Sequence, residues 1–191
     1  MKKIAFFFGV TFLATCAHAV DFVNGSFETG DFTGWDVVNA SQGSWLVTRS
    51  NPAGFQPSDG TWMAMFGDVS QQNDTISQVL ATDAGQHYIL SFDMANIGQN
   101  DQWNHFEVKW NNTFLYNAPA PNTANIVPYV HYEYDVVGTG SDVASFAGYA
   151  FWAETGVDNI RLTAAAPVPE PMSILALAAG AAALIRRRKA K

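Results

Sequence analysis

An all-β fold, an antiparallel β-sandwich of jelly-roll type, is what the middle of this sequence predicts, and three observations carry the prediction. Apolar and polar residues alternate over short runs, whereas an amphipathic helix would repeat its apolar positions every ~3.6 residues. Turn-forming Asn, Asp, Gly and Pro combinations separate those runs. Aromatic side chains gather there too: all six Trp, all six Tyr and ten of the fourteen Phe lie between Val20 and Ala164. That stretch is one domain long, enough to bury a core without crosslinks.

The elements follow in order. Strands are expected at Asp21–Phe27, Trp35–Asn39, Ser44–Arg49, Trp62–Phe66 and Thr75–Leu80. Tyr88, Leu90, Phe92 and Met94 then share one face of a strand, with His87, Ser91 and Asp93 on the other. The same alternation sets Phe106, Val108 and Trp110 against His105, Glu107 and Lys109, and Val130, Tyr132 and Tyr134 against His131, Glu133 and Asp135. Such runs read as strands buried on one side and wet on the other. Thr113–Tyr116, Val143–Trp152 and Val157–Thr163 complete the set. Turns are expected at Asn51-Pro52, Ser58-Asp59-Gly60, Asp83-Ala84-Gly85, Asn111-Asn112 and Gly138-Thr139-Gly140. This many short strands joined by polar turns imply two packed sheets.

Two terminal segments stand outside the sandwich. Residues 1–19 read as a signal helix: Lys2 and Lys3, an apolar run from Ile4 to Leu13, then Ala17-His18-Ala19, with cleavage by signal peptidase after Ala19. A second export reading lipidates Cys16, within Leu13-Ala14-Thr15-Cys16. Residues 165–171 form a proline-rich linker in which regular helix is excluded. Residues 172–191 read as a short transmembrane helix, Met172 to Ile185, and a basic end, Arg186, Arg187, Arg188 and Lys189. Fourteen residues at ~1.5 Å each span about 21 Å, short of a ~30 Å hydrocarbon core unless flanking residues snorkel.

Charge excludes some functions. Between Asp21 and Glu170 only Arg49, Lys109 and Arg161 stand against all seventeen acidic residues, a net of about −14. Phosphate neutralisation needs Lys and Arg, so nucleic acid is not a partner. Cys16 is the only cysteine, so the cleaved chain has neither disulfide nor thiolate chemistry. Acidic surfaces suit solubility and hard cations such as calcium.

The tail, with Val168 leading into Pro169-Glu170-Pro171, then Met172–Ile185 and Arg186–Lys189, resembles the PEP-CTERM sorting signal of exported Gram-negative proteins. The resemblance implies recognition by an exosortase-type transpeptidase, transient residence in the inner membrane, and display at the cell surface or in an exopolysaccharide matrix. The basic end would stay cytoplasmic by the positive-inside rule. In the middle, Asn24-Gly25-Ser26-Phe27-Glu28-Thr29-Gly30 with Gly34-Trp35 resembles the opening of galactose-binding-like jelly rolls, among them carbohydrate-binding modules of families 4 and 9. Val157-Asp158-Asn159-Ile160-Arg161-Leu162 resembles their closing strand. In those modules the first and last strands meet at a structural calcium. The resemblance thus implies Glu28 and Asp158 as carboxylate ligands and Ser26 as a carbonyl ligand, with Asp59 as a further one.

Sugar binding needs a flat aromatic flanked by amides and acids, because pyranose rings stack on π faces while hydroxyls take hydrogen bonds. Gln99, Asn100, Asp101 and Trp103 are the best local match, with Tyr129 as a further candidate. His105 with Glu107, and His131 with Glu133, each share a strand face, and would form a metal or acid–base site only if their strands are neighbours. No nucleophile elbow, phosphate-cradling glycine loop or histidine zinc motif is present. The expectation is therefore a non-enzymatic surface or matrix protein associated with extracellular polysaccharide. A dedicated carbohydrate-binding module is the alternative, and a secreted hydrolase comes third.

Overall fold

The computed structural model describes residues 20–39, 46–49, 56–68, 70–98, 104–119, 129–151 and 153–166. The signal segment with Ala19 lies outside the described residues, as do the stretch carrying Gln99, Asn100, Asp101 and Trp103, and the tail with Val168, Pro169, Glu170, Pro171, Arg186, Arg187 and Arg188. No helix among the described residues is long and apolar enough to cross a membrane.

Among the described residues ten strands form: β1 Asp36–Val38, β2 Val47–Arg49, β3 Met63–Phe66, β4 Asp74–Leu80, β5 His87–Gly98, β6 Asn104–Trp110, β7 Thr113–Ala118, β8 Val130–Val137, β9 Asp142–Ala150 and β10 Ala153–Ala164. They make two five-stranded sheets, β1-β4-β9-β6-β7 and β2-β3-β10-β5-β8. Every pairing is antiparallel. The expected sandwich is present.

Alternation places the core between the layers. Tyr88, Leu90, Phe92 and Met94 are fully buried, and so are Phe106 and Val108. Rings from the two sheets interlock: Phe92 meets Phe146 edge-on at 5.3 Å and Phe66 meets Phe106 at 5.1 Å. Edge-to-face packing suits the ring quadrupoles, and burial of each ring contributes several times its pair energy. The Trp110 indole donates to the Val137 carbonyl at 3.1 Å, tying β6 to the end of β8 across the layers. Four of the five expected turns appear with left-handed residues, Gly60, Gly85, Asn111 and Gly140, while Asn51-Pro52 lies outside the described residues.

Three expectations are corrected. Asp21–Phe27 is a turn, because Asn24 and Phe27 take φ of 56° and 55°, which no strand accommodates. Asn24 holds that turn through its side chain, donating to the Asp31 and Thr33 carbonyls and accepting from Thr29 N–H. The opening and closing segments still meet: Ile160 N–H donates to the Gly25 carbonyl at 3.0 Å, and a Cβ at Gly25 would lie 2.1 Å from Ile160 O. The strand expected over Val143–Trp152 ends at Ala150, and β10 begins at Ala153, four residues before the expected Val157. Finally, His105 and Glu107 lie on β6 in one sheet while His131 and Glu133 lie on β8 in the other. The two His–Glu pairs do not converge.

Candidate functional site

The outer face of the β2-β3-β10-β5-β8 sheet carries a polar cluster with a solvent-facing edge at His131. Phe92 and Met94 face the core, so Asp93 faces outward from β5. Its register partners are Asp158 on β10 and His131 on β8, which puts the three in one row across the sheet. The β10 register shifts between Asp158 and Arg161, with Asn159 at φ 51°. This bulge re-aims side chains beside the row.

The turn at Ser58-Asp59-Gly60 closes over Asp158. Asp59 N–H donates to Asp158 Oδ2 at 2.9 Å, and Asn159 N–H donates to Oδ1 at 2.7 Å. Ser58 Oγ lies 2.7 Å from Asp93 Oδ2 and 3.3 Å from Asp158 Oδ2; its one proton goes to the nearer oxygen, on Asp93. Asn159 Nδ2 also donates to Asp93 Oδ2, at 3.1 Å. On the open side, His131 Nδ1 is 2.6 Å from Asp93 Oδ1, and Nε2 is 3.5 Å from Glu133.

Electrostatics follow from this packing. Burial pushes the Asp158 carboxyl up to about 7, against the backbone bonds from Asp59 and Asn159 that favour its ionised form. The hydrogen bond to Asp93 holds His131 above its ordinary value, against a smaller effect of burial. Burial raises the Tyr129 phenol strongly, with Asp158 and Asp93 adding to the effect. The Asp158 carboxyl is therefore poised to exchange its proton near neutral pH, and His131 at the rim is shifted toward its protonated form. Asp158 is fully buried, so a surface ligand would touch Asp93 and His131 instead.

Beside the row lies an apolar patch. Met63, Met65 and Ala95 cluster together, Tyr129 packs on them half-buried, and the Tyr129 hydroxyl bonds Met63 Sδ at 2.9 Å. Tyr129 is thus brought to the site as part of this packed patch. Trp103 and its amide neighbours fall outside the described residues.

The four residues expected to bind calcium all meet the segment from Ser58 to Trp62, Ser26 and Asp158 through Asp59 and Glu28 through Thr61 and Trp62. Ser26 Oγ and Arg161 both donate to Asp59 Oδ2, each at 2.9 Å. Glu28 Oε1 accepts from the Thr61 and Trp62 N–H groups at 2.8 and 2.7 Å, and Gly60 (φ 65°) leaves no room for a Cβ against that carboxylate. These oxygens and both Asp158 oxygens already accept protein donors, so a cation here would compete with them. Among the described residues no three His, Cys, Asp or Glu side chains are grouped as a metal site.

Sequence reasoning missed Ser58 and Asp93. The alternation around Phe92 put Asp93 on the wet face, but the row itself depends on the register of three strands distant in the chain.

No protein-family model and no curated protein matches the sequence. Solved structures do match. The chain covers 100% of the Stig cyclase Fisc from Fischerella sp. TAU, with 80% of its own length aligned, a TM-score of 0.57 and 15% identity. Against TmCBM61 in complex with β-1,4-galactotriose the figures are 76% of this chain, 99% of that one, 0.57 and 14%. Against the CBM22-1 xylan-binding domain of Paenibacillus barcinonensis Xyn10C they are 81%, 100%, 0.52 and 12%. The sandwich has the carbohydrate-binding-module-like fold. Stig cyclases share it, so the likeness gives the architecture and leaves the chemistry to the site.

Proposed function

We propose that this protein is an exported, non-catalytic β-sandwich that binds polysaccharide on the outer face of the β2-β3-β10-β5-β8 sheet. One observation carries the reading: the Asp158–Asp93–His131 row lies beside the Met63, Met65, Ala95 and Tyr129 patch. Sugars present hydroxyls and C–H faces together; Asp93 and His131 offer polar groups for the first, and the half-buried Tyr129 ring, seated on the fully buried Met63, Met65 and Ala95, offers apolar cover for the second. Asp93 and His131 are the hydroxyl-contacting groups in this reading. Structural neighbours solved with β-1,4-galactotriose or described as xylan-binding support the reading at the level of polysaccharide. A glycan array probed with the full-length chain should retain plant-type or bacterial β-linked glycans, and Asp93→Ala should reduce that signal about tenfold. Absence of signal from all glycans would remove the proposal.

Export and sorting complete the reading. Residues 1–19 direct secretion, and the Pro169-Glu170-Pro171 tail directs the protein through an exosortase-type transpeptidase to the cell surface or an exopolysaccharide matrix. Mass spectrometry of the surface protein should find Met172–Lys191 missing. An intact tail would point to a plain membrane anchor.

A further inference from the structure

We propose that the end of the sandwich bridged by the β3–β4 connection holds a hard divalent cation, calcium by its donor chemistry, bound through Asp68, Asp74 and Thr155 with Asn96 and Asn104 beside them. The site is separate from the polysaccharide face and from the Ser26–Glu28–Asp59–Asp158 network, and it stands without either.

The chain crosses from one sheet to the other between Phe66 and Asp74. Along this crossing Asp68 and Asp74 are both fully buried, where carboxylates are rare, and Asp68 accepts the Ser70 N–H. The pleat turns the strand residues inward at the same level. Asp74 is in phase with core Ile76, Asn104 with Phe106, Asn96 with Met94, and Thr155 with Val157.

Register then shows that the two sheets face each other here. Asp74 and Phe106 both flank Gly148, while Asn96 and Phe66 both flank Thr155. The Phe66 and Phe106 rings touch across the interlayer space at 5.1 Å. Beyond that contact buried polar side chains, Asn96, Asn104 and Thr155, face inward beside the small Ala150 and Ala153. Asn96 is 1% exposed, Asn104 3% and Thr155 0%.

A second observation points to a ligand. Thr155 Oγ1 is buried in this space without a hydrogen-bond partner. A buried hydroxyl in that state calls for a partner beyond the chain itself. The groups around it offer carboxylate, amide and hydroxyl oxygens and neither sulfur nor imidazole. Calcium takes six to eight such hard oxygens, amide carbonyls included, whereas copper or zinc would favour nitrogen and sulfur.

The test uses the full chain after chelator treatment, titrated with calcium chloride and followed by calorimetry and by melting temperature. Wild type should bind one calcium saturably and melt at higher temperature as it does so. Asp74→Asn should weaken binding at least tenfold and Thr155→Val several-fold, while Thr155→Ser, which keeps the hydroxyl, should bind as wild type. Glu28→Gln should retain binding. Circular dichroism of each chelated variant separates loss of the ligand from loss of the fold. Indifference of wild type to calcium would overturn the proposal, leaving a buried water as partner of Thr155. Binding lost in Glu28→Gln and kept in Asp74→Asn would overturn it in favour of the Ser26–Asp158 network.

Discussion

Asp142 and Asp158 are both fully buried aspartates in this molecule, and their surroundings drive their carboxyls in opposite directions. At Asp142, on the first residue of β9, burial pushes the carboxyl up. Bonds from Asn111 and Thr82, and from Thr139 through both its N–H and its hydroxyl, outweigh that effect and hold it below the usual carboxylate range. At Asp158 the loss of hydration is heavier, the bonds from Asp59, Asn159 and Ser58 do not offset it, and the carboxyl is pushed up to about 7. The state of a buried carboxylate is decided by the balance between its desolvation and the donors aimed at it. Asp142 is a fastening point that joins three turns, whereas Asp158 is a poised group behind a surface row.

The largest expected effect comes from breaking the fastening. Asp142→Ala strands the donors of Thr82, Asn111 and Thr139 together, and should cost about 3 kcal/mol, read from urea unfolding. A loss below about 1 kcal/mol would show that water replaces the carboxylate freely.

Next in size is the pH response of Asp158. A carboxyl whose folded value is raised contributes stability at low pH, and that stability drains away as pH rises from about 4 to about 7. Melting temperature should therefore fall across that interval, and Asp158→Asn should flatten the slope. An unchanged slope in the variant would assign the effect to other groups.

The smallest effect is at the rim. His131 is held above its ordinary value, so its contribution is present at acid pH and is lost as pH rises through the raised value, the same direction as Asp158. Because His131 is half exposed, solvent screening keeps this under about 1 kcal/mol. Asp93→Asn should return the imidazole toward an ordinary titration, followed by NMR, and a titration unmoved by that change would remove the Asp93 bond as its cause. Asp142, Asp31 and Glu107 run the other way, since their lowered carboxyls lose stability only as pH falls below the carboxylate range.

Much of the fold was legible because strands buried on one face print their period in the sequence. β5 and β6 show it plainly, Tyr88 to Met94 and Phe106 to Trp110. β3 does not alternate in burial, since Met63, Ala64, Met65 and Phe66 are all buried, two of them under the outer patch with Tyr129. Asp21–Phe27 misled because Phe22 and Phe27 are core residues anchored by a turn, and apolar spacing cannot distinguish that from a strand. The site was legible only in pieces. Asp158 and Asp59 were marked by resemblance, while Asp93 entered through strand register and Ser58 through a turn folding over it.

The position of β10 has a consequence for the proposed export. This last strand lies between β3 and β5 and pairs with both, so the middle of its sheet is missing until residues 153–164 arrive. Non-local pairing of this kind is slow and waits on the whole chain. A polypeptide threading through a membrane from its N-terminus would keep that sheet open until almost all of the sandwich had crossed. For a chain exported as proposed, the order of strands would in this sense be a timer, delaying the finished fold until the narrow passage had been cleared.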